Sequence, residues 1–187
     1  MRDKIVIDIE TKNTFFDVGG KENLKDLEVS LACVYSYNKG DFLTFRDNQL
    51  QALGELLQEA GLIIGFSINR FDLPVLDKYF NFNLLKAPTL DILEEIENTH
   101  GRRVSLDVLA KANLGVGKTN HGLEAIKFYN EGDWKSLEKY CLQDVLLTRD
   151  LYELAKKENN QPLLQFCTEI LEVFEKNNIN GHIVWRR

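Results

Sequence analysis

An apolar run that ends in acids constrains this chain more than any other feature. Lys4-Ile5-Val6-Ile7-Asp8-Ile9-Glu10-Thr11 is apolar and β-branched through its first half. That pattern belongs to a central strand covered on both faces. Side chains two apart on a strand share a face, so Asp8 and Glu10 stand together at its end. Two later segments share the design of apolar element and acid. Ile63-Ile64-Gly65-Phe66-Ser67-Ile68-Asn69-Arg70-Phe71-Asp72-Leu73-Pro74 carries a strand into a turn with Asp72, and Pro74 suits the first turn of a helix. Tyr140-Cys141-Leu142-Gln143-Asp144 sets a tyrosine and an acid four apart, on one face of a helix. Taken singly, each segment also has an ordinary reading: acids at a strand end, an N-cap, a buried tyrosine bonded to an acid. Gathered at one place, the four carboxylates would repel one another and demand cations. That points to divalent metal ions and phosphodiester hydrolysis.

The remaining pattern predicts how such a gathering could be built. Residues 4–9 read as a strand and 11–27 as a polar, glycine-containing loop. Glu28–Tyr37 and Asp41–Phe45 form a hairpin signal around Asn38-Lys39-Gly40. After Asn48, Leu50, Leu53, Leu56 and Leu57 recur at helical spacing, with Gly61 as the expected stop and a strand at Leu62–Gly65. A helix over 73–80, a strand at Pro88–Asp91 and a helix over 92–98 follow. Ser105 caps a helix over 106–112, another covers His121–Tyr129, and Asp133 caps a long one over 134–157. Its broad face carries Leu137, Tyr140, Cys141, Asp144, Leu147 and Leu151. Asn159-Asn160-Gln161-Pro162 breaks the pattern before a helix over 163–177 and a short strand within 179–187. The expectation is an α/β fold with a mixed central sheet flanked by helices. Residues 1–187 form a single domain, with a helical extension at about 159–187.

Composition narrows the partners. The net charge of −6 argues against a protein that holds nucleic acid by bulk electrostatics. It is compatible with a nuclease whose excess acid is neutralised by metal. The apolar stretches are too short to span a bilayer, so no membrane partner is expected. No signal-peptide pattern opens the chain. Cys33, Cys141 and Cys167 lie apart in apolar settings and read as buried thiols of a reducing compartment, giving a cytoplasmic, intracellular expectation.

The three acid-bearing segments resemble, in order, the three motifs of the DEDD 3′–5′ exonucleases of the ribonuclease H-like superfamily. The likeness covers roughly residues 3–156 and is nearest to the proofreading exonuclease domain of family B DNA polymerases and its stand-alone relatives. One subfamily has histidine five residues before the last aspartate, where this chain has Lys139; the other has tyrosine four before it, and Tyr140 is there. The chain therefore resembles the tyrosine (DEDDy) subtype. The resemblance implies a ribonuclease H-like fold and a two-metal-ion hydrolysis of single-stranded DNA or RNA from the 3′ end, releasing nucleoside 5′-monophosphates. The implied cofactors are two divalent metal ions, Mg²⁺ or Mn²⁺. It further implies that Asp8 bridges both ions, Glu10 and Asp144 hold the ion that activates water, Asp72 orders waters around the other, and Tyr140 orients the attacking water. Thr11, Ser67, Asn69, Phe71 and Lys118 are the implied substrate contacts. Related domains commonly carry asparagine at the position of Ser67, a departure in this chain. A polymerase or helicase partner is compatible with this reading. The alternative is a catalytically inactive nucleic-acid-binding module of the same fold, and a third reading is a structural subunit docking through its last helix.

Other patterns carry less. Gly115-Val116-Gly117-Lys118-Thr119 imitates the end of a Walker loop, but Ala112 stands where the first glycine belongs and no core strand precedes it. His100, His121 and His182 lack ligand spacing. Gly101-Arg102-Arg103 fits either a solvated turn or a phosphate contact.

Overall fold

The computed structural model describes residues 2–117 and 123–158. Lys118, His121, Cys167, His182 and the expected helix and strand beyond residue 158 lie outside the described residues.

Five strands form one sheet: β1 (Asp3–Thr11), β2 (Val29–Ser36), β3 (Asp41–Arg46), β4 (Ala60–Gly65) and β5 (Thr89–Asp91). Their order is β3-β2-β1-β4-β5. β1 pairs antiparallel with β2 and parallel with β4; β3 extends the antiparallel side and β5 the parallel side. Six α-helices lie among the described residues: α1 (Leu50–Gln58), α2 (Asp72–Asp77), α3 (Ile92–His100), α4 (Leu106–Leu114), α5 (Leu123–Glu131) and α6 (Trp134–Glu158). This is the mixed sheet flanked by helices that the sequence predicts. No helix among the described residues is long and apolar enough to cross a membrane.

β1 is central because both of its faces are covered. Ile5, Ile7 and Ile9 enter one core with Leu53 and Leu57 of α1 and Leu73 and Leu76 of α2. Val6 enters the other with Leu137, Cys141 and Val145 of α6. Each fully buried isoleucine or leucine contributes about 1.5–3 kcal/mol relative to exposure. That burial holds the acid-bearing end of β1 in place.

Two local expectations need correction. Gly61 does not stop a helix: α1 ends at Gln58 and Gly61 lies inside β4. A Cβ there would come within 2.8 Å of Arg2 Cβ, and the β1–β4 register shifts beside it, so the glycine permits close approach of two strands. Asn48 precedes α1 as expected, within a 3₁₀ turn, Asp47–Gln49. The helix expected over 73–80 begins at Asp72 and ends at Asp77. The caps at Ser105 and Asp133 are present: Ser105 Oγ accepts from Val108 N–H at 3.2 Å, and Asp133 Oδ1 from Ser136 N–H at 3.1 Å.

Candidate active site

Asp8 and Glu10 project from the last turn of the β1 pleat toward α6. One carboxylate oxygen from each and Cys141 Sγ all lie within 4.8 Å of one another. Cys141 comes from α6, where it follows Tyr140, and its thiol donates to the backbone carbonyl of Asp8 at 3.5 Å. The contact joins α6 to β1 beside the core packing of Leu137, Cys141 and Val145 against Val6. Asp144, one turn further along α6, is buried on the same face.

Asp72 reaches this place from the other side of the sheet order. It opens α2 just beyond β4, and its Oδ1 accepts the backbone N–H of Ile9 at 3.0 Å. Ile9 lies between Asp8 and Glu10, so a single hydrogen bond between residues 63 apart docks the second segment onto the first. The turn that delivers Asp72 needs Gly65. A Cβ at that position would collide with Ile68 and stand 3.1 Å from the Ile7 carbonyl.

The electrostatics of this cluster are those of crowded acids. Burial drives the Asp72 carboxyl up to about 7, the Ile9 N–H and its own backbone oppose that, and the charges of Asp91 and Asp144 add to it. Burial also pushes the Tyr140 phenol above its ordinary range, and Glu10, Asp144, Asp8 and Glu124 push it further. Tyr140 thus keeps its proton throughout the physiological range. Burial raises the Cys141 thiol well above its usual value, with Cys33, Asp8 and Glu10 acting in the same direction. A thiol in that state does not compete for hard cations, so the available ligand set is oxygen. Clustered carboxylate oxygens with a protonated phenol beside them fit a hard divalent cation.

The residues expected to touch substrate divide. Thr11 ends β1, with its hydroxyl donating to the Asn13 carbonyl at 2.8 Å. Ser67 takes a left-handed backbone, φ 70°. That conformation is several-fold enriched in asparagine, which gives a backbone reason for the residue seen at this position in related domains. The Asn69 carboxamide is directed to Glu94, donating at 2.5 Å. Phe71 packs edge-on against Phe15 of the loop after β1, ring centroids 5.7 Å apart. Lys118 is outside the described residues, but the loop before it is placed: Gln143 Nε2, adjacent to Asp144, donates to the Gly117 carbonyl at 3.0 Å. A helix, α4, leads into Gly115, so the strand–loop–helix frame of a Walker loop is absent there. Arg103 and Arg70 both pair with Glu97 of α3, at 3.2 and 2.5 Å.

Two participants had no sequence signal in advance. Glu124 of α5 is near enough to act on the Tyr140 phenol. Asp91, at the end of β5, bonds the loop that carries Ser67 and Asn69. An acid directly before a helix pattern signals an N-cap for α3, but nothing in it signals bonds to a distant loop.

The fold agrees with the comparison to known proteins. The chain belongs to the RNase H superfamily, whose family model matches residues 5–156. A solved structure of similar fold is that of the family B DNA polymerase from the hyperthermophilic archaeon Pyrobaculum calidifontis, with a TM-score of 0.63 and 20% sequence identity. The match covers 83% of this chain and 24% of that one, so this chain spans about a quarter of the polymerase. No curated protein matches the sequence. The resemblance to family B polymerases is thereby borne out as a likeness of fold.

Proposed function

We propose that this chain is a nuclease of the 3′–5′ exonuclease type, removing nucleoside 5′-monophosphates from the 3′ ends of single-stranded DNA or RNA. The observation that carries the reading is the Asp72–Ile9 hydrogen bond. It ties the acid of the second segment to the strand that carries the two acids of the first, and the charge of Asp144 in the third segment acts on that same carboxyl.

In this reading Asp8, Glu10, Asp72 and Asp144 hold two divalent ions, Mg²⁺ or Mn²⁺. Bound there, such ions would lower the pKa of water and stabilise the negative charge that builds on the phosphoryl group. The protein's own groups do the rest. Tyr140, its phenol protonated, would donate a hydrogen bond through its O–H and so orient the incoming water. Water adds to phosphorus, the bond to the 3′ oxygen of the penultimate nucleotide breaks, and the products are a 5′-monophosphate and a new 3′ hydroxyl. The Phe15–Phe71 pair braces the loop beside the first motif, and Thr11, Ser67, Asn69 and Phe71 are the proposed substrate contacts. Lys118 would meet substrate phosphate from the loop after Gly117.

The net charge of −6 favours short-lived contact with the substrate and an unpaired 3′ end over a gripped duplex. A polymerase or helicase partner would supply what grip this chain lacks. The chain as a whole, residues 1–187, is read as one exonuclease domain working inside the cell.

The test is a gel assay of 5′-labelled single-stranded DNA and RNA with Mg²⁺, Mn²⁺ or EDTA. The expected result is a ladder of 3′-shortened products that EDTA abolishes. Binding without shortening in either metal would favour a non-catalytic nucleic-acid-binding module.

A further inference from the structure

Asp91 carries more hydrogen bonds than a helix cap requires. It is 3% exposed. Its Oδ1 accepts from Leu93 and Glu94 N–H at 3.1 and 3.3 Å, which are ordinary N-cap bonds of α3. The same oxygen also accepts from Ser67 N–H at 2.8 Å, and Oδ2 accepts from Asn69 N–H at 3.0 Å. These two shorter bonds reach across to the loop between β4 and α2.

The loop is shaped for such a partner. The left-handed turn of Ser67 points the N–H groups of 67 and 69 to one side. Backbone N–H groups arranged in this way form a concavity that takes an anion. In this protein the anion is built in. Ser67 is not a glycine, so its conformation is disfavoured unless something outside the loop holds it.

What the carboxylate fixes leads directly into the candidate active site. Arg70 N–H closes the turn on the Ser67 carbonyl at 3.3 Å, and Leu73 N–H bonds the Ile68 carbonyl at 3.0 Å. Between them lies Asp72, whose carboxylate bonds Ile9 N–H. Hydrogen bonds and the short covalent stretch 70–72 together therefore link Asp91, through the 67–71 loop, to Asp72 and the acid-bearing end of β1. Between the two buried carboxylates the link runs through backbone alone.

We propose that Asp91 is a positioning residue, whose carboxylate fills the anion-binding turn at 67–69 and so sets Asp72 against Asp8 and Glu10. Its consequence for catalysis rests on the nuclease reading; its consequence for the loop does not. A residue acting only as a cap would stabilise α3 and leave the loop and the kinetics alone. Ser105, the N-cap of α4, supplies that control.

The experiment compares the full-length wild type with Asp91→Ala, Asp91→Asn and Ser105→Ala, each shown to be folded by circular dichroism. Amide hydrogen exchange at residues 67 and 69 reports the loop, Mn²⁺ titration calorimetry reports the acids, and kcat and KM on labelled single-stranded DNA report turnover. In Asp91→Ala the two amides should lose about tenfold or more in protection. Mn²⁺ affinity and kcat should each fall about 10–100-fold, the scale of losing a group that orients a ligand, with KM little changed. Added sodium formate should restore part of the amide protection and of kcat, because it can occupy the vacated turn. Asp91→Asn, with one acceptor oxygen left, should fall between, and it carries the test if the alanine variant does not fold. Ser105→Ala should lose stability alone. Unchanged protection at 67 and 69 in folded Asp91 variants would overturn the proposal, as would unchanged Mn²⁺ affinity and kcat. A wild type that cuts no nucleic acid would sink the nuclease reading instead, and exchange, formate rescue and Mn²⁺ affinity would still decide for or against Asp91.

Discussion

On one face of β1, Ile5, Ile7 and Ile9 are buried against α1 and α2. On the other, Val6 is buried against α6, but Asp8 and Glu10 further along are half-buried acids. Both faces belong to the same nine residues and alternate with a period of two. The isoleucines stabilise the metal-free protein; the acids, pressed together by that same packing, strain it. The strand thus separates the residues that hold the fold from those that give it chemistry, and it does so at adjacent positions. Substitutions one residue apart should therefore have opposite signatures.

The largest contrast is between Asp8 and Ile7. Asp8→Ala should reduce nuclease activity on the order of a thousandfold or more, through loss of a shared cation ligand. Its urea midpoint in EDTA should be equal to or above that of the wild type, because repulsion among the acids is relieved. Ile7→Ala should do the reverse, costing about 2–5 kcal/mol of stability while retaining the turnover of whatever stays folded. Wild-type turnover in folded Asp8→Ala protein would break the comparison outright.

Tyr140 lies between the two roles, since its ring packs in the core while its hydroxyl faces acids. Tyr140→Phe keeps the ring and removes the donor. Turnover should drop about 10–100-fold, less than for Asp144→Ala, with Mn²⁺ affinity retained. If both variants lose activity equally while their Mn²⁺ affinities stay at the wild-type level, the division between ligand and orienting group is wrong.

A third expectation concerns pH in the metal-free protein. Asp72 titrates near 7 when folded, against an ordinary value of 3.8. A raised carboxyl favours the folded state fully below its unfolded value and loses that contribution as pH rises through the folded one. In EDTA the thermal midpoint should therefore decline between about pH 4 and pH 7, by an amount worth on the order of a few kcal/mol. Asp72→Asn, which keeps an acceptor for Ile9 N–H, should flatten that decline. A wild-type midpoint that rises over this window would contradict the assigned environment.

The smallest effect belongs to the rim. Lys12 Nζ pairs with Asp47 at 2.8 Å and with Glu28 at 3.5 Å, beside a cavity of about 380 Å³ also lined by Lys78 and Tyr79. The hydrogen bond and charge of Lys12 outweigh partial burial and hold the Asp47 carboxyl below its ordinary value. Its contribution to stability is present above about pH 4 and is lost as pH falls through the lowered value. Lys12→Met should cost under about 1 kcal/mol, and less at high salt. A larger, salt-independent loss would mean that the rim supports the acids more directly than its geometry indicates.

These contrasts also mark what a sequence can disclose. The period of two in Ile5–Glu10 and the i, i+4 spacing of Tyr140 and Asp144 are local, so face and neighbour follow from spacing alone. The caps at Ser105 and Asp133 are local for the same reason. Asp91 was not legible as more than a cap. Its distant partners are backbone N–H groups, which every residue but proline carries, so no residue type announces them. The commitment of Asn69 to Glu94 was hidden because it depends on where α3 lies beside the loop. Gly61 was misread because glycine ends helices and admits close strand approach equally well, and the Arg2 contact that decides between them is long-range.

The central claim is that β1, α2 and α6 bring four acids together to hold cations for nucleic-acid hydrolysis. Its most direct test is a calorimetric titration of the metal-free protein with Mn²⁺, run in parallel on wild type and Asp8→Ala. The account predicts saturable binding in wild type, with a rise in thermal midpoint as Mn²⁺ fills the site, and loss of both in folded Asp8→Ala. Equal binding and equal stabilisation in the two proteins would contradict it.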